Sequence, residues 1–279
     1  MARREHAQAR LFGVLGDPVD HSLSPVMQNA AFAAAGLPHL YLRYRVPPAA
    51  LAAALREAKA LGMGGLNLTV PLKEAVLPLL DALTPAAERA AAVNTIILSP
   101  GGRLLGDNTD GEGFVRALGG RARGARAVVI GAGGSGAAVA AALSRAGAAT
   151  VTIANRTVAR AERLAARLAG PRRAKIGIAP LTALASGAAL EDATLVVNAT
   201  PLTAPDEIAP LDAIAPPAAL VDLVYGETLT PWIERARGAG RAAWDGLGLL
   251  VFQARRSLAL WTGREVPVEP LARAVGWPR

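Results

Sequence analysis

Four apolar residues, Ala127, Val128, Val129 and Ile130, run without a break into Gly131-Ala132-Gly133-Gly134-Ser135-Gly136, and an Ala-rich amphipathic stretch follows. This is G-x-G-x-x-G between a strand and a helix start, the one context in which those glycines have separate physical tasks. Gly131 permits the tight turn. Gly133 lets the backbone approach a pyrophosphate, and Gly136 lets helix and strand pack closely. The helix start adds free N–H groups and the positive end of the helix dipole, which together attract phosphate. A Gly/Ala packing turn is the alternative, and the flanking strand and helix favour a dinucleotide.

The rest of the chain fits the α/β class that such a turn implies. Short apolar runs alternate with longer Ala/Leu-rich amphipathic stretches. Strands are expected at 11–15, 41–46, 65–68, 94–98 and 103–106, the last two flanking the turn Pro100-Gly101-Gly102. Helices are expected at 25–35, 49–61, 72–80, 86–91 and 111–118. The Arg/Gly-rich stretch 119–126 reads as a linker. After it come strand 127–130, helix 135–146, strand 150–154, helix 158–169, strands 195–198, 220–224 and 241–244, and a closing helix 246–260. Such alternation means parallel sheets covered by helices. The 279 residues exceed one ordinary domain, so two are expected.

Composition narrows the function. The chain has no cysteine, hence no disulfide and no thiolate metal site. His6, His21 and His39 are its only histidines, and no pair has a metal-ligand spacing. No run of about 18 apolar residues occurs, and residues 1–10 are polar and Arg-rich without an apolar core, so a cytoplasmic protein without a membrane span is expected. The net charge of +8 comes from scattered arginines with no accompanying aromatic stripe, which speaks against a nucleic-acid surface. Only three lysines occur, Lys59, Lys73 and Lys175. In a chain that otherwise uses Arg for positive charge, a retained lysine is a candidate for work that needs a releasable proton.

The end of the second strand after the linker bears on which dinucleotide binds. NAD sites usually place Asp or Glu there to hold the ribose 2′-hydroxyl. This chain has Asn155-Arg156-Thr157, with Arg160 one helical turn on. Two arginines without a carboxylate suit a 2′-phosphate, so NADP is expected rather than NAD.

The first half carries polar clusters in Ala/Leu-rich surroundings. Ser22 and Ser24 fall just before Pro25, the expected first position of a helix. They are either helix caps or ligands for a substrate carboxylate. Asn67-Leu68-Thr69-Val70-Pro71-Leu72-Lys73, Ala92-Val93-Asn94-Thr95 and Gly106-Asp107-Asn108-Thr109-Asp110-Gly111 each place polar groups at the end of an expected strand. Ligands of open α/β sheets lie beyond such ends. Lys73 and Asp110 are thus either a charged pair of one ligand site or a plain salt bridge.

These segments, in order and over nearly the whole chain, resemble the shikimate dehydrogenase family. Its S-x-S-P motif is matched by Ser22, Ser24 and Pro25, and N-x-T-x-P-x-K runs from Asn67 to Lys73. A-V-N-T is unchanged, N-T-D-G contains Asp110, and G-A-G-G and N-R-T follow. Asp222–Tyr225 matches D-x-x-Y, and the stretch from Gly246 to Gln253 resembles the closing motif. The resemblance implies an NADP-dependent oxidoreductase that interconverts 3-dehydroshikimate and shikimate by hydride transfer at ring C3. Ser22, Ser24 and Tyr225 would hold the carboxylate, and Thr69, Asn94, Asp110 and Gln253 the ring hydroxyls. Lys73 would be the acid–base group with Asp110 beside it. Gly131, Ala132, Gly133, Gly134, Ser135, Asn155, Arg156, Thr157, Arg160 and Gly246 would line the NADP site, with Leu223 near the nicotinamide.

The implied fold is a substrate-binding α/β domain, 1–110 completed by helices in 246–279, and a Rossmann-type doubly wound domain at 111–245, with the active site in the cleft between them. The small-molecule substrate is the expected partner, and a homodimer is compatible with a sequence that leaves the oligomeric state open. The chain departs from the family pattern at Gln28, where His is frequent, at Thr203-Ala204 for Gly-Met, at Glu227 for Pro, and at Leu249 for Met. A quinate/shikimate dehydrogenase or related paralogue would use the same residues. The departures also admit an NADP-binding protein without turnover, against which Lys73 and Asp110 stand intact.

Overall fold

A computed structural model of the chain describes residues 8–99, 101–171, 173–202 and 205–279; His6, Pro100, Thr203 and Ala204 lie outside the described residues. The chain divides into two compact units. The first comprises residues 8–87, 93–109 and 253–279, and the second 88–92 and 110–252.

The first unit is built from β1 (Leu11–Gly16), α1 (Ser24–Ala34), β2 (Leu40–Arg45), α2 (Leu51–Ala60), β3 (Gly65–Leu68), α3 (Leu72–Ala75), β4 (Ala82–Leu83), the start of α4 (Pro85–Ala90), β5 (Thr95–Leu98) and β6 (Leu104–Asp107). The strands form one mixed sheet in the order β2-β1-β3-β5-β6-β4. β1 lies parallel to β2 and β3, while β5 is antiparallel to both β3 and β6. β1 and β3 are buried along most of their length, and accordingly read as near-continuous apolar runs. Leu51 and Leu55 of α2 join Leu66, Leu68, Leu72, Val93 and Ile96 in one buried cluster on the sheet.

The second unit is built from α5 (Asp110–Ala117), β7 (Arg126–Ile130), α6 (Gly134–Arg145), β8 (Thr150–Ala154), α7 (Val158–Leu168), β9 (Lys175–Ala179), α8 (Leu181–Ala185), β10 (Leu195–Asn198), β11 (Ala219–Asp222), α9 (Pro231–Gly238) and β12 (Ala243–Trp244). Its six strands are all parallel, in the order β12-β11-β10-β7-β8-β9. This is the doubly wound order, with β7 as first strand and the reversal between β7 and β10. One face is packed by Val129, Val151, Ile153 and Val197 against Ala137, Ala140 and Leu143 of α6. Val128, Val196 and Leu220 join Trp232 and Ile233 of α9 in a separate buried cluster. α10 (Leu247–Thr262) begins in the second unit and ends in the first, and α11 (Glu269–Ala274) follows.

Several expectations change. The helix expected at 72–80 is only Leu72–Ala75 followed by a 3₁₀ turn at Leu77–Leu79, because Pro78 supplies no backbone N–H to continue it. The strand expected from 241 is the two-residue β12, and β9, in which Ile176 and Ile178 alternate with Lys175, Gly177 and Ala179, was not among the expected strands. No helix among the described residues is long and apolar enough to cross a membrane. No group of three or more His, Asp or Glu among the described residues could hold a metal ion.

Candidate active site

In the first unit the polar residues gather at one edge of the sheet. β1 and β3 are parallel, so the turns that follow them lie side by side. The approach is close enough that a Cβ on Gly16 would meet Thr69 Cγ2 at 2.3 Å, and the Asp17 N–H donates to the Val70 carbonyl at 3.1 Å. Asn94 corrects the expectation that it ends a strand, since it immediately precedes β5. The antiparallel pairing of β5 with β3 nevertheless brings its start to the edge where β3 finishes, and the Leu68 N–H donates to the Asn94 carbonyl at 2.9 Å. β6 then runs back to finish at that same edge with Asp107.

Ser22 and Ser24 are both 6 % exposed. α1 begins at Ser24, one residue earlier than expected, with Leu23 in the cap position and no side-chain cap bond from it. The Ser24 N–H donates to Ser22 Oγ at 3.3 Å, so Ser22 satisfies one of the free donors of the helix start. Lys73 is the second residue of α3, half-buried, and its carbonyl accepts the Val93 N–H at 2.8 Å. Its backbone is thereby tied to the segment that carries Asn94.

Asn94 lies in a buried polar cluster. Its Nδ2 donates to Thr109 Oγ1 at 3.0 Å and to Gln253 Oε1 at 3.4 Å, and its Oδ1 accepts the Thr109 N–H at 2.9 Å. Asn67 Nδ2 donates to the Asn94 carbonyl at 2.9 Å, to Thr95 Oγ1 at 3.1 Å and to Ser257 Oγ at 3.1 Å. Ser257 and Thr95 hydroxyls are 2.8 Å apart, and Ser257 donates to the Gln253 carbonyl at 3.0 Å. Sequence reasoning missed Ser257 and Tyr41, whose O–H donates to Asn67 Oδ1 at 2.8 Å. A hydroxyl four residues after Gln253, and so on the same face of the helix, was the available signal for Ser257.

In the second unit the glycine turn sits at the carboxyl end of β7, beside the point where the strand order reverses. Gly131 has φ of +109°, which only glycine adopts without strain, and a Cβ on Gly136 would stand 2.1 Å from the Gly131 carbonyl oxygen. A Cβ on Gly133 would meet nothing within 4 Å among the described residues, so the turn is open where a pyrophosphate would approach. Gly134 and Ser135 open α6, aiming its free N–H groups at that space. The Ala132 N–H donates to Asn155 Oδ1 at 3.1 Å, Asn155 Nδ2 donates to the Thr157 carbonyl at 2.9 Å, and Arg160 Nη2 reaches the Ala132 carbonyl at 3.5 Å. The end of β8 is thus fastened to the turn, while Arg156 and Thr157 are exposed. No acid stands at 155–160.

The ends of β10 and β11 form a third polar knot. The Leu223 N–H donates to the Asn198 carbonyl at 2.9 Å, and a Cβ on Gly246 would stand 2.2 Å from the Leu223 carbonyl oxygen, so only glycine fits there. Asp222 is fully buried. It accepts from Thr230 Oγ1 at 2.8 Å, Asn198 Nδ2 at 2.9 Å and the Val224 N–H at 3.1 Å. Burial pushes its carboxyl up to about 6 against these three stabilising donors, and the charge of Asp245 adds to the rise. Tyr225 follows as a half-buried residue and Glu227 is exposed. Asp110, 3 % exposed, opens α5 in this unit. Leu249 packs on the Rossmann core, and Thr203 and Ala204 lie outside the described residues.

Known proteins match this arrangement along its length. Residues 14–96 match the shikimate dehydrogenase substrate binding domain, 115–212 the shikimate / quinate 5-dehydrogenase model, and 246–275 the shikimate 5′-dehydrogenase C-terminal domain. The shikimate dehydrogenase (NADP(+)) of Methanopyrus kandleri is 44 % identical over 96 % of each chain. The chain belongs to the shikimate dehydrogenase family. Among solved members, that of Aquifex aeolicus is 35 % identical with a TM-score of 0.86, covering 96 % of this chain and 98 % of its own. The Thermus thermophilus enzyme, solved with NADP(H) and shikimate, is 38 % identical with a TM-score of 0.83 over the same shares.

Proposed function

We propose that the chain is an NADP-dependent shikimate dehydrogenase, interconverting 3-dehydroshikimate and shikimate in the route to aromatic amino acids. The observation that carries this reading is the pairing of two sites in one chain. One is a sheet edge lined with hydroxyl and amide groups around Lys73. The other is a dinucleotide turn with arginines in place of the ribose-binding acid. NADP supplies or accepts a hydride at its nicotinamide ring. The protein's part is to hold substrate and cofactor in register and to move one proton.

In this reading most of the substrate-binding residues belong to the first unit, with Asp110 and Tyr225 coming from the second. Ser22 and Ser24, with Tyr225, hold its carboxylate, and Thr69, Asn94, Asp110 and Gln253 hold ring hydroxyls. Holding both ends of a rigid ring selects which carbon faces the hydride donor. Lys73 takes or gives the proton on the C3 oxygen, which an arginine could not do. Asp110 bonds the same hydroxyl. In the second unit Gly131–Ser135 cradle the pyrophosphate, Asn155, Arg156, Thr157 and Arg160 hold the 2′-phosphate, and Leu223 and Gly246 form the bed of the nicotinamide. A cytoplasmic homodimer completes the reading, with sedimentation equilibrium as the check on assembly.

The decisive test is absorbance at the reduced-nicotinamide band with shikimate and quinate, each with NADP and NAD. Shikimate with NADP should give the highest kcat/KM. The family model covers quinate as well as shikimate, so a higher kcat/KM on quinate would move the chain to that activity. No turnover with either substrate would remove the enzyme reading.

A further inference from the structure

We infer that Gln28 is a positioning residue that sets the spacing between the two substrate anchors, Ser22 and Ser24 at the start of α1 and Gln253 of α10. The inference rests on the substrate reading given above. Gln28 lies one helical turn after Ser24, so the two share a face of α1, and both are buried. Its Nε2 donates to the Ala254 carbonyl of α10 at 3.0 Å. Ala254 directly follows Gln253. A single side chain therefore reaches from the helix that presents Ser24 to the backbone that presents Gln253.

The neighbouring carbonyl is held as well. Ser257 Oγ donates to the Gln253 carbonyl at 3.0 Å and accepts from Asn67 Nδ2 at 3.1 Å. Asn67 in turn accepts from the Tyr41 hydroxyl at 2.8 Å. Tyr41 is fastened by its backbone to Asn29, whose Oδ1 accepts the Tyr41 N–H at 2.8 Å and whose Nδ2 donates to the Tyr41 carbonyl at 3.0 Å. Asn29 is the residue after Gln28. The path is a closed ring: from α1 through Gln28 to α10, and from α10 through Ser257, Asn67 and Tyr41 back to α1.

The second observation is the cost at which this bond is kept. Gln28 is fully buried, and its Oε1 has no hydrogen-bond partner among the described residues. A buried, unsatisfied amide oxygen destabilises a fold, and an apolar side chain of similar length would avoid it. Stability alone does not favour glutamine here; the donor to Ala254 does. A substrate pinned at its carboxylate and its hydroxyls tolerates little error between the two anchors, which explains a rigid strut at this position.

The test compares Gln28→Met, Gln28→His and Gln28→Asn in the full-length protein with shikimate and NADP. Met keeps the length and removes both the donor and the orphan oxygen, so the melting temperature should change little. KM for shikimate should rise about ten- to a hundredfold while KM for NADP stays put. His retains a ring N–H at comparable reach and should bring KM back near the wild-type value. Asn keeps the amide but is one methylene short, and should behave like Met. If Met does not fold, the contrast between His and Asn carries the test. Folded variants with wild-type KM for shikimate would overturn the inference and leave the function standing. Equal impairment of His and Asn would also overturn it. A wild type that turns over neither shikimate nor quinate would overturn both.

Discussion

Lys73 differs from each of the chain's arginines in being able to release a proton, and that difference can be isolated by substitution. Lys73→Met keeps the aliphatic stem and should lower kcat by about 10²–10⁴-fold with shikimate still bound. Lys73→Arg keeps the charge and should fare no better, since guanidinium does not deprotonate in proteins. Steady-state kinetics with binding measured by calorimetry reads both. Near-wild-type kcat in the Arg variant would reduce Lys73 to an electrostatic anchor. Asp222 offers a second residue-scale measurement. Its carboxyl is raised to about 6 in the fold, so the folded state prefers it protonated. Its contribution to stability is therefore full below the unfolded value near 4 and is lost as pH rises through about 6. Wild type should lose up to about 3 kcal/mol relative to Asp222→Asn between those limits. Parallel denaturation curves at pH 4 and pH 7 would refute the assignment.

At the scale of elements, the turn between β7 and α6 is the tightest constraint. Gly136→Ala would drive a Cβ to 2.1 Å from the Gly131 carbonyl oxygen, a backbone atom that cannot swing aside. Fluorescence titration should show NADP binding weakened by tenfold or more, with shikimate binding retained; an unchanged affinity would mean that the turn relaxes freely. This element was legible in the sequence because its glycines stand at fixed offsets between a strand and a helix. The polar segment ends Asn67–Lys73 and Asn94 were legible for a similar reason, as polar groups interrupting apolar runs. The register of β5 was not, because an antiparallel return looks like any other apolar run until its partner is known. The same holds for Ser257 and Tyr41. A buried hydroxyl that bonds across a large sequence separation leaves no periodic trace, and Pro78 shortened α3 by a local rule that periodicity overrode.

Across the whole molecule, each compact unit has its own apolar core, and this predicts separable responses to ligands. A ligand at 100 times its Kd adds about 2.7 kcal/mol to the state that binds it. Hydrogen exchange should therefore slow in β7, the start of α6 and the end of β8 when NADP is added. With shikimate it should slow at the start of α1 and between β3 and α3. Protection of the β7–α6 turn by shikimate alone would place its binding in the wrong unit. The division of the chain also has an outcome for recombination. Nearly all of the second unit is one uninterrupted block, 110–252, the kind of cassette that a gene could exchange in a single event. Residues 88–92 break that simplicity. They belong to the same unit, and Ala90 and Ala92 are buried in its core. A chimera that imported 110–252 alone would inherit a foreign core lacking two of its own side chains. Any lineage or designer trading one cofactor module for another must carry that distant pentapeptide along with it.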